Sequence, residues 1–141
     1  MKTFYTIVGG KYERYVPLSA LVGETLARIE GGKGEAELLL WTAGGTGFAM
    51  FHDQDCCESV SIEDIAGDLS DLIGTPILEA YESTSADRPG DVPEPEYPPE
   101  SQTWTFYRLV TIKGTVVIRW LGESNGYYSE GVSVRRIAAA E

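Results

Sequence analysis

Along the 141-residue chain, apolar and polar positions fall into short runs that read as recurring hairpins. Lys2 to Val8 is rich in aromatic and β-branched residues, Gly9-Gly10 is a turn signal, and Lys11 to Val16 returns. Residues 1–17 are therefore read as an N-terminal hairpin, ended by Pro17, which has no N–H to donate. Glu37 to Thr42 (ELLLWT) predicts a strand with apolar residues on both faces, AGGTG a turn, and Phe48 to Phe51 the start of a returning strand. Later, Thr103 to Thr111 (TWTFYRLVT), the turn Ile112-Lys113-Gly114 and Thr115 to Gly122 (TVVIRWLG) give the same pattern.

Between these hairpins the period changes. Ile62, Ile65, Leu69 and Leu72 fall on one helical stripe, and Asp64, Asp68 and Asp71 on another. Ser61 and Asp64 have capping-box spacing, acids suit a helix start, and Gly74 is a natural stop. The spacing predicts one principal helix over about 61–73, with Gly67 inside it at a cost of about 1 kcal/mol relative to Ala.

The halves also resemble each other. LVGETLARIEG (Leu21 to Gly31) matches LIGTPILEAYES (Leu72 to Ser83) in pattern, and each is followed by a hairpin. Each hairpin enters a polar loop, DQDCCES or ESNGYYSEG, which exits into Val60-Ser61-Ile62 or Val132-Ser133-Val134. Self-similarity of this kind indicates duplication of a β-hairpin unit. The two loops would then be equivalents facing each other across a pseudo-twofold axis. The predicted fold is α+β over a single domain, 1–141: a twisted, mainly antiparallel sheet of two related hairpin units with the 61–73 helix on one face.

Residues 85–100 hold five of the seven prolines, interleaved with acids, and read as a flexible insert. The formal charge is −11, from 22 acids against 11 bases, so the chain lacks the basic footprint of a nucleic-acid binder. No apolar run reaches the roughly 18 residues of a membrane span, and the first residues do not read as a signal peptide. Adjacent cysteines close almost no loop and cannot staple a small secreted fold, so a cytoplasmic setting is expected.

Phe51 to Gly74 gathers the lone histidine, both cysteines and many carboxylates. Its ligand types suit a metal, but no second His or Cys pair lies elsewhere to close a zinc site. A Cys–His nucleophile would need His52 to come back across roughly 13 to 16 Å of extended chain, and neighbouring acids would raise the thiol pKa. The second loop offers hydroxyls, an amide and two phenol rings. Asn125-Gly126 is a hairpin signal, and the same residues suit a ligand loop. Trp104, Tyr107 and Trp120 would line the same pocket or belong to the core. The expected ligand-binding set is Asp55, Cys56, Glu58, Trp104, Arg119, Ser124, Asn125, Tyr127, Tyr128 and Ser129, with no catalytic residue, no metal ligand and no cofactor. Arg119, Arg108, Lys113 and Arg135 are the cations offered to a phosphate.

The strings DQDCCESVSIEDIAGDLSDLIGTPI, TWTFY, VIRW and GESNGYYS resemble an uncharacterised domain family that recurs in bacteriophage and prophage genomes, over roughly residues 20–134. The resemblance implies a phage-borne accessory protein acting in the cytoplasm of an infected bacterial host, and implies no reaction. With it, the leading expectation is a non-catalytic protein that sequesters a small polar molecule, such as a nucleotide-derived signal of host defence. One alternative is an acidic inhibitor that occupies a basic, nucleic-acid-binding surface of a host protein. The other is a small hydrolase. Self-association is a further option; membrane association and direct nucleic-acid binding are not expected.

Overall fold

The computed structural model describes residues 14–137. Its strands are β1 (Arg14–Val16), β2 (Leu26–Glu30), β3 (Glu37–Thr42), β4 (Gly47–Phe51), β5 (Ser59–Ala66), β6 (Glu79–Ser85), β7 (Ser101–Thr111), β8 (Gly114–Ser124) and β9 (Ser133–Ile137). A 3-10 turn, Leu18–Leu21, precedes β2, and a second, Leu69–Leu72, precedes β6. The first sheet has the order β1-β9-β4-β3-β2 and the second β5-β8-β7-β6, and every strand pairing is antiparallel. The expected hairpins are β3–β4 and β7–β8. The expected N-terminal hairpin, 1–17, lies outside the described residues except for β1, which pairs with β9.

The duplication is present, with an exchange. Each half is a 3-10 turn followed by a three-stranded meander, β2-β3-β4 or β6-β7-β8. The next strand then leaves for the other sheet: β5 pairs with β8, and β9 pairs with β4. The halves also clasp each other at the turns. Gly23 N–H donates to Ile77 O at 2.8 Å, and Gly74 N–H donates to Leu26 O at 2.8 Å. Leu26 and Ile77 occupy matching places in LSALVG…L and LSDLIG…I. Apolar side chains of both sheets fill the space between them, among them Leu38, Leu40, Phe48, Met50, Ile62, Tyr107, Leu109, Ile118 and Trp120. Leu39, Ala49, Phe51 and Ile137 form a smaller cluster on the first sheet, so ELLLWT is apolar on both faces as its sequence implies.

The α+β reading, one sheet covered by a principal helix, is overturned: the described residues form two antiparallel sheets joined by loops and 3-10 turns, with no α-helix, and residues 61–73 do not form one. They are most of β5, a bend at Gly67, and the second 3-10 turn. The helical spacing has two separate causes. A β-bulge between Ile62 and Asp64 places one extra residue in the strand, so Ile62 and Ile65 both face the core, opposite Trp120 and Ile118. Leu69 and Leu72 are then three apart in a 3-10 turn, the spacing at which side chains eclipse. Asp68, whose carboxylate takes Ser70 N–H at 3.0 Å, caps that turn. Gly67 is not a helical residue at a small cost. Its φ is +100°, and a Cβ there would stand 2.5 Å from Thr115 O, so the chain can pass the β7–β8 hairpin only with glycine. The expected acidic helix face of Asp64, Asp68 and Asp71 is therefore not a continuous surface.

Candidate functional site

The exchange of β5 and β9 fixes where the two polar loops lie. Phe51 at the end of β4 pairs with Ser133 at the start of β9, and Ser59 at the start of β5 pairs with Glu123 near the end of β8. Residues 52–58 and 125–132 thus cross between the sheets at the same end of the molecule, in opposite directions. They touch: His52 Nδ1 is 2.7 Å from Gly131 O.

Each loop is folded around a buried carboxylate. In the cysteine loop it is Glu58. Its Oε1 accepts Cys56 N–H at 2.8 Å and Gln54 Nε2 at 2.8 Å, and Asp55 N–H lies 3.3 Å from both oxygens. Gln54 Nε2 also donates to Glu58 O at 2.6 Å. His52 Nε2 faces Glu58 Oε2 at 3.2 Å, with side-chain exposures of 4% and 0%. Burial would raise the Glu58 pKa. The amides of Cys56, Glu58 and Asp55 together with His52 outweigh it and hold the carboxyl down at about 2. In the tyrosine loop the buried acid is Glu130. Its Oε1 accepts Thr103 Oγ1 at 2.7 Å, and its Oε2 takes a short hydrogen bond from Ser124 Oγ. Burial again opposes ionisation, and hydroxyl donation from Ser124, Thr103 and Ser101 prevails, so its pKa is lowered.

The expected set omits Glu130, although the sequence carries the signal. Glu58-Ser-Val-Ser-Ile and Glu130-Gly-Val-Ser-Val are the same motif, one residue pair longer than the matched triplets.

Of the expected binding residues, Asp55, Cys56, Asn125, Tyr127 and Ser129 are exposed at the loop tips, with Tyr127 90% exposed, while Ser124 and Tyr128 are half-buried. Glu58 is buried and turned inward as the acid of its loop. Cys56 and Cys57 are joined by a disulfide. Arg119 and Trp104 are elsewhere. Arg119 lies five residues from Ser124 along β8, about 17 Å. The β5 bulge aims two acids at it, Glu63 at 2.5 Å and Asp64 at 3.6 Å. It also holds Asp91 of the insert through paired bonds of 3.0 and 3.1 Å. Glu63 and Asp91 raise its pKa further, and the guanidinium in turn lowers that of Asp91. Its Cζ stands 5.7 Å from the Trp104 ring, which is 1% exposed. Trp120 and Tyr107 are core residues. Tyr107 donates its hydroxyl to Val132 O at 2.9 Å, and burial pushes its pKa up. Lys113 Nζ donates to Ile73 O at 2.6 Å, Arg135 stacks over Tyr15, and Arg108 is exposed on β7.

A cleft does adjoin the tyrosine loop, on the side away from the cysteines. The Asp91–Arg119 anchor folds the 85–100 insert back on the second sheet. Between the insert and the start of β7 lies a cleft of about 380 Å³, lined by Ala86, Arg88, Pro95, Pro98, Pro99, Glu100, Ser101 and Gln102. Ser101 joins it to the loop: it pairs with Ser124 and its Cβ lies 4.0 Å from where a Gly126 side chain would begin. Arg88 supplies the cation, with Glu94 at 3.9 Å.

Among the described residues, no group of three or more His, Cys, Asp or Glu is placed to hold a metal ion. No described helix is long and apolar enough to cross a membrane. No curated protein and no solved structure matches the chain. A family model does, over residues 19–134, from the first 3-10 turn to β9, taking in both halves, both loops and the insert. The chain belongs to that family, the domain of unknown function DUF7448.

Proposed function

We propose that this is a non-catalytic binding protein, and that it takes a small polar ligand carrying one anionic group at the end where the tyrosine loop meets the insert. The observation that carries the reading is the cleft of about 380 Å³ beside Ser124–Ser129, within the size range of small-molecule sites. Proline rings supply its apolar wall, Ser101 and Gln102 its hydrogen-bonding groups, Arg88, with Glu94 at 3.9 Å, its cation, and Glu100 an acid. Tyr127, with 90% of its surface in solvent, offers this end of the molecule a rigid aromatic contact for an occupant. A nucleotide-derived signal, in the phage setting that the resemblance implies, fits such a site through a base on the proline wall and a phosphate at Arg88. Arg119 does not serve as the phosphate group, because Glu63, Asp64 and Asp91 already neutralise it.

Calorimetric titration of the chain with a panel of mononucleotides and cyclic oligonucleotides tests this. Saturable binding that Arg88→Ala weakens tenfold or more supports the reading. No binding by any member, with no small molecule released from protein purified from infected cells, overturns it.

A second reading has its own support. Neither loop contains Lys or Arg, and Asp53 and Asp55 are exposed at the tip of the cysteine loop. That end would suit a basic protein surface. Partner capture that weakens steeply with salt and is lost on Asp53→Lys with Asp55→Lys supports this second reading.

A further inference from the structure

We propose that Cys56–Cys57 is a redox-active site, opened and closed by exchange with an external dithiol, rather than a structural staple. This is independent of the ligand reading above. The first ground is polymer physics. A disulfide stabilises mainly by restricting the unfolded chain, by an amount that grows with the loop it closes. Here the bonded residues are neighbours, so the loop is the shortest a chain can make and that source of stability is almost absent. The second ground is access. Both cysteines are exposed at the tip of the loop, and exposed disulfides belong to the labile class.

The third ground is connection. The amide between the two cysteines is part of the ring that the disulfide closes. Its carbonyl, Cys56 O, accepts Gln54 Nε2 at 3.2 Å, and the Cys56 N–H, on the amide that enters the ring at Cys56 Cα, donates to Glu58 Oε1 at 2.8 Å. Glu58 meets His52, and His52 meets Gly131 of the tyrosine loop at 2.7 Å. The backbone that must relax when the ring opens is therefore tied, in three contacts, to the neighbouring loop.

The exchange balances as follows. A thiolate of the dithiol attacks one ring sulfur, the S–S bond breaks, and the other cysteine leaves and takes a proton. The second thiol of the reagent then resolves the mixed disulfide. The chain gains two electrons and two protons, and the dithiol becomes a cyclic disulfide. The reverse reaction consumes a disulfide of the same class.

The test uses the full chain without denaturant, first oxidised and then treated with dithiothreitol. The expected result is a mass gain of two hydrogens, together with amide NMR shifts at His52, Glu58, Gly131 and Tyr127 that leave Ile118 and Leu40 unmoved. Oxidised dithiothreitol should restore the starting spectrum. Thiols released only after denaturation, or a purified chain whose cysteines stay free under oxidised dithiothreitol, would overturn the redox site. Reduction with shifts confined to 55–58 would overturn its connection to the tyrosine loop. A Cys56→Ser, Cys57→Ser double variant should be insensitive to both reagents, and the wild-type titration decides the question if that variant does not fold.

Discussion

The cysteine loop and the tyrosine loop occupy the same position in the two halves and solve the same problem differently. Each crosses from one sheet to the other, and each is built around the glutamate that opens the shared Glu-x-Val-Ser motif. The register makes the correspondence finer. Ser61 pairs with Leu121 and Ser133 pairs with Phe51, so His52 is the counterpart of Gly122 and Gln54 that of Ser124. Gln54 donates to Glu58 and Ser124 donates to Glu130, from matching places. What differs is the space. His52 fills it in one loop and reaches the acid. In the other, Gly122 leaves it empty, and the backbone of Glu130 settles there: a Cβ on Gly122 would stand 2.5 Å from Glu130 O. The cysteine loop satisfies its acid with its own amides. The tyrosine loop, two residues longer between donor and acid, satisfies its acid with hydroxyls of β7 and β8. The buried acids hold the frame, and the tips are left free to carry a disulfide or two phenols.

The comparison can be broken most severely at Gly122. Gly122→Ala should destabilise the chain by about 3 kcal/mol in urea unfolding, because backbone and not a flexible side chain must move. The reverse exchange, His52→Gly, removes contacts without forcing the chain apart and should cost clearly less. Glu130→Ala should follow at about 2 kcal/mol, by stranding the Thr103 and Ser124 hydroxyls. Glu58 is tested by acid. Its folded pKa of about 2 lies below the ordinary 4.5, so between those values the unfolded chain binds more protons. The stabilisation is complete above pH 4.5 and is lost as pH falls towards 2. In Glu58→Gln, a pH series of urea midpoints should be flatter across that window than in wild type. Asp55→Ala and Tyr127→Ala, at the exposed tips, should leave stability within about 0.5 kcal/mol.

Arg119→Ala separates the frame from the insert. It should expose residues 85–100 to limited proteolysis while leaving the His52–Gly131 contact in place. Unchanged cleavage would mean that Asp91 does not anchor the insert.

Much of this is legible in the sequence. Alternation placed β3, β4, β7 and β8 with their turns, and the repeated Val-Ser triplet placed the loops as equivalents. The failure at 61–73 is instructive. A strand with one bulge, followed by a 3-10 turn, sets apolar residues at the intervals of a helix. Periodicity cannot separate those cases without knowing that Trp120 and Ile118 wait opposite. Arg119 misleads for a related reason. A lone arginine on a strand looks available, and nothing local announces that a bulge and an insert 28 residues away bring acids to it. Glu130 is hidden among abundant acids, and only alignment of the two halves singles it out.

The exchange of β5 and β9 is the claim on which the rest depends, and cross-strand NOEs measure it most directly. Contacts should join Ser61 to Leu121 and Ser133 to Phe51, with His52 beside Gly131. Contacts joining β5 to β4 and β9 to β8, each half closing on itself, would contradict the account and separate the two loops.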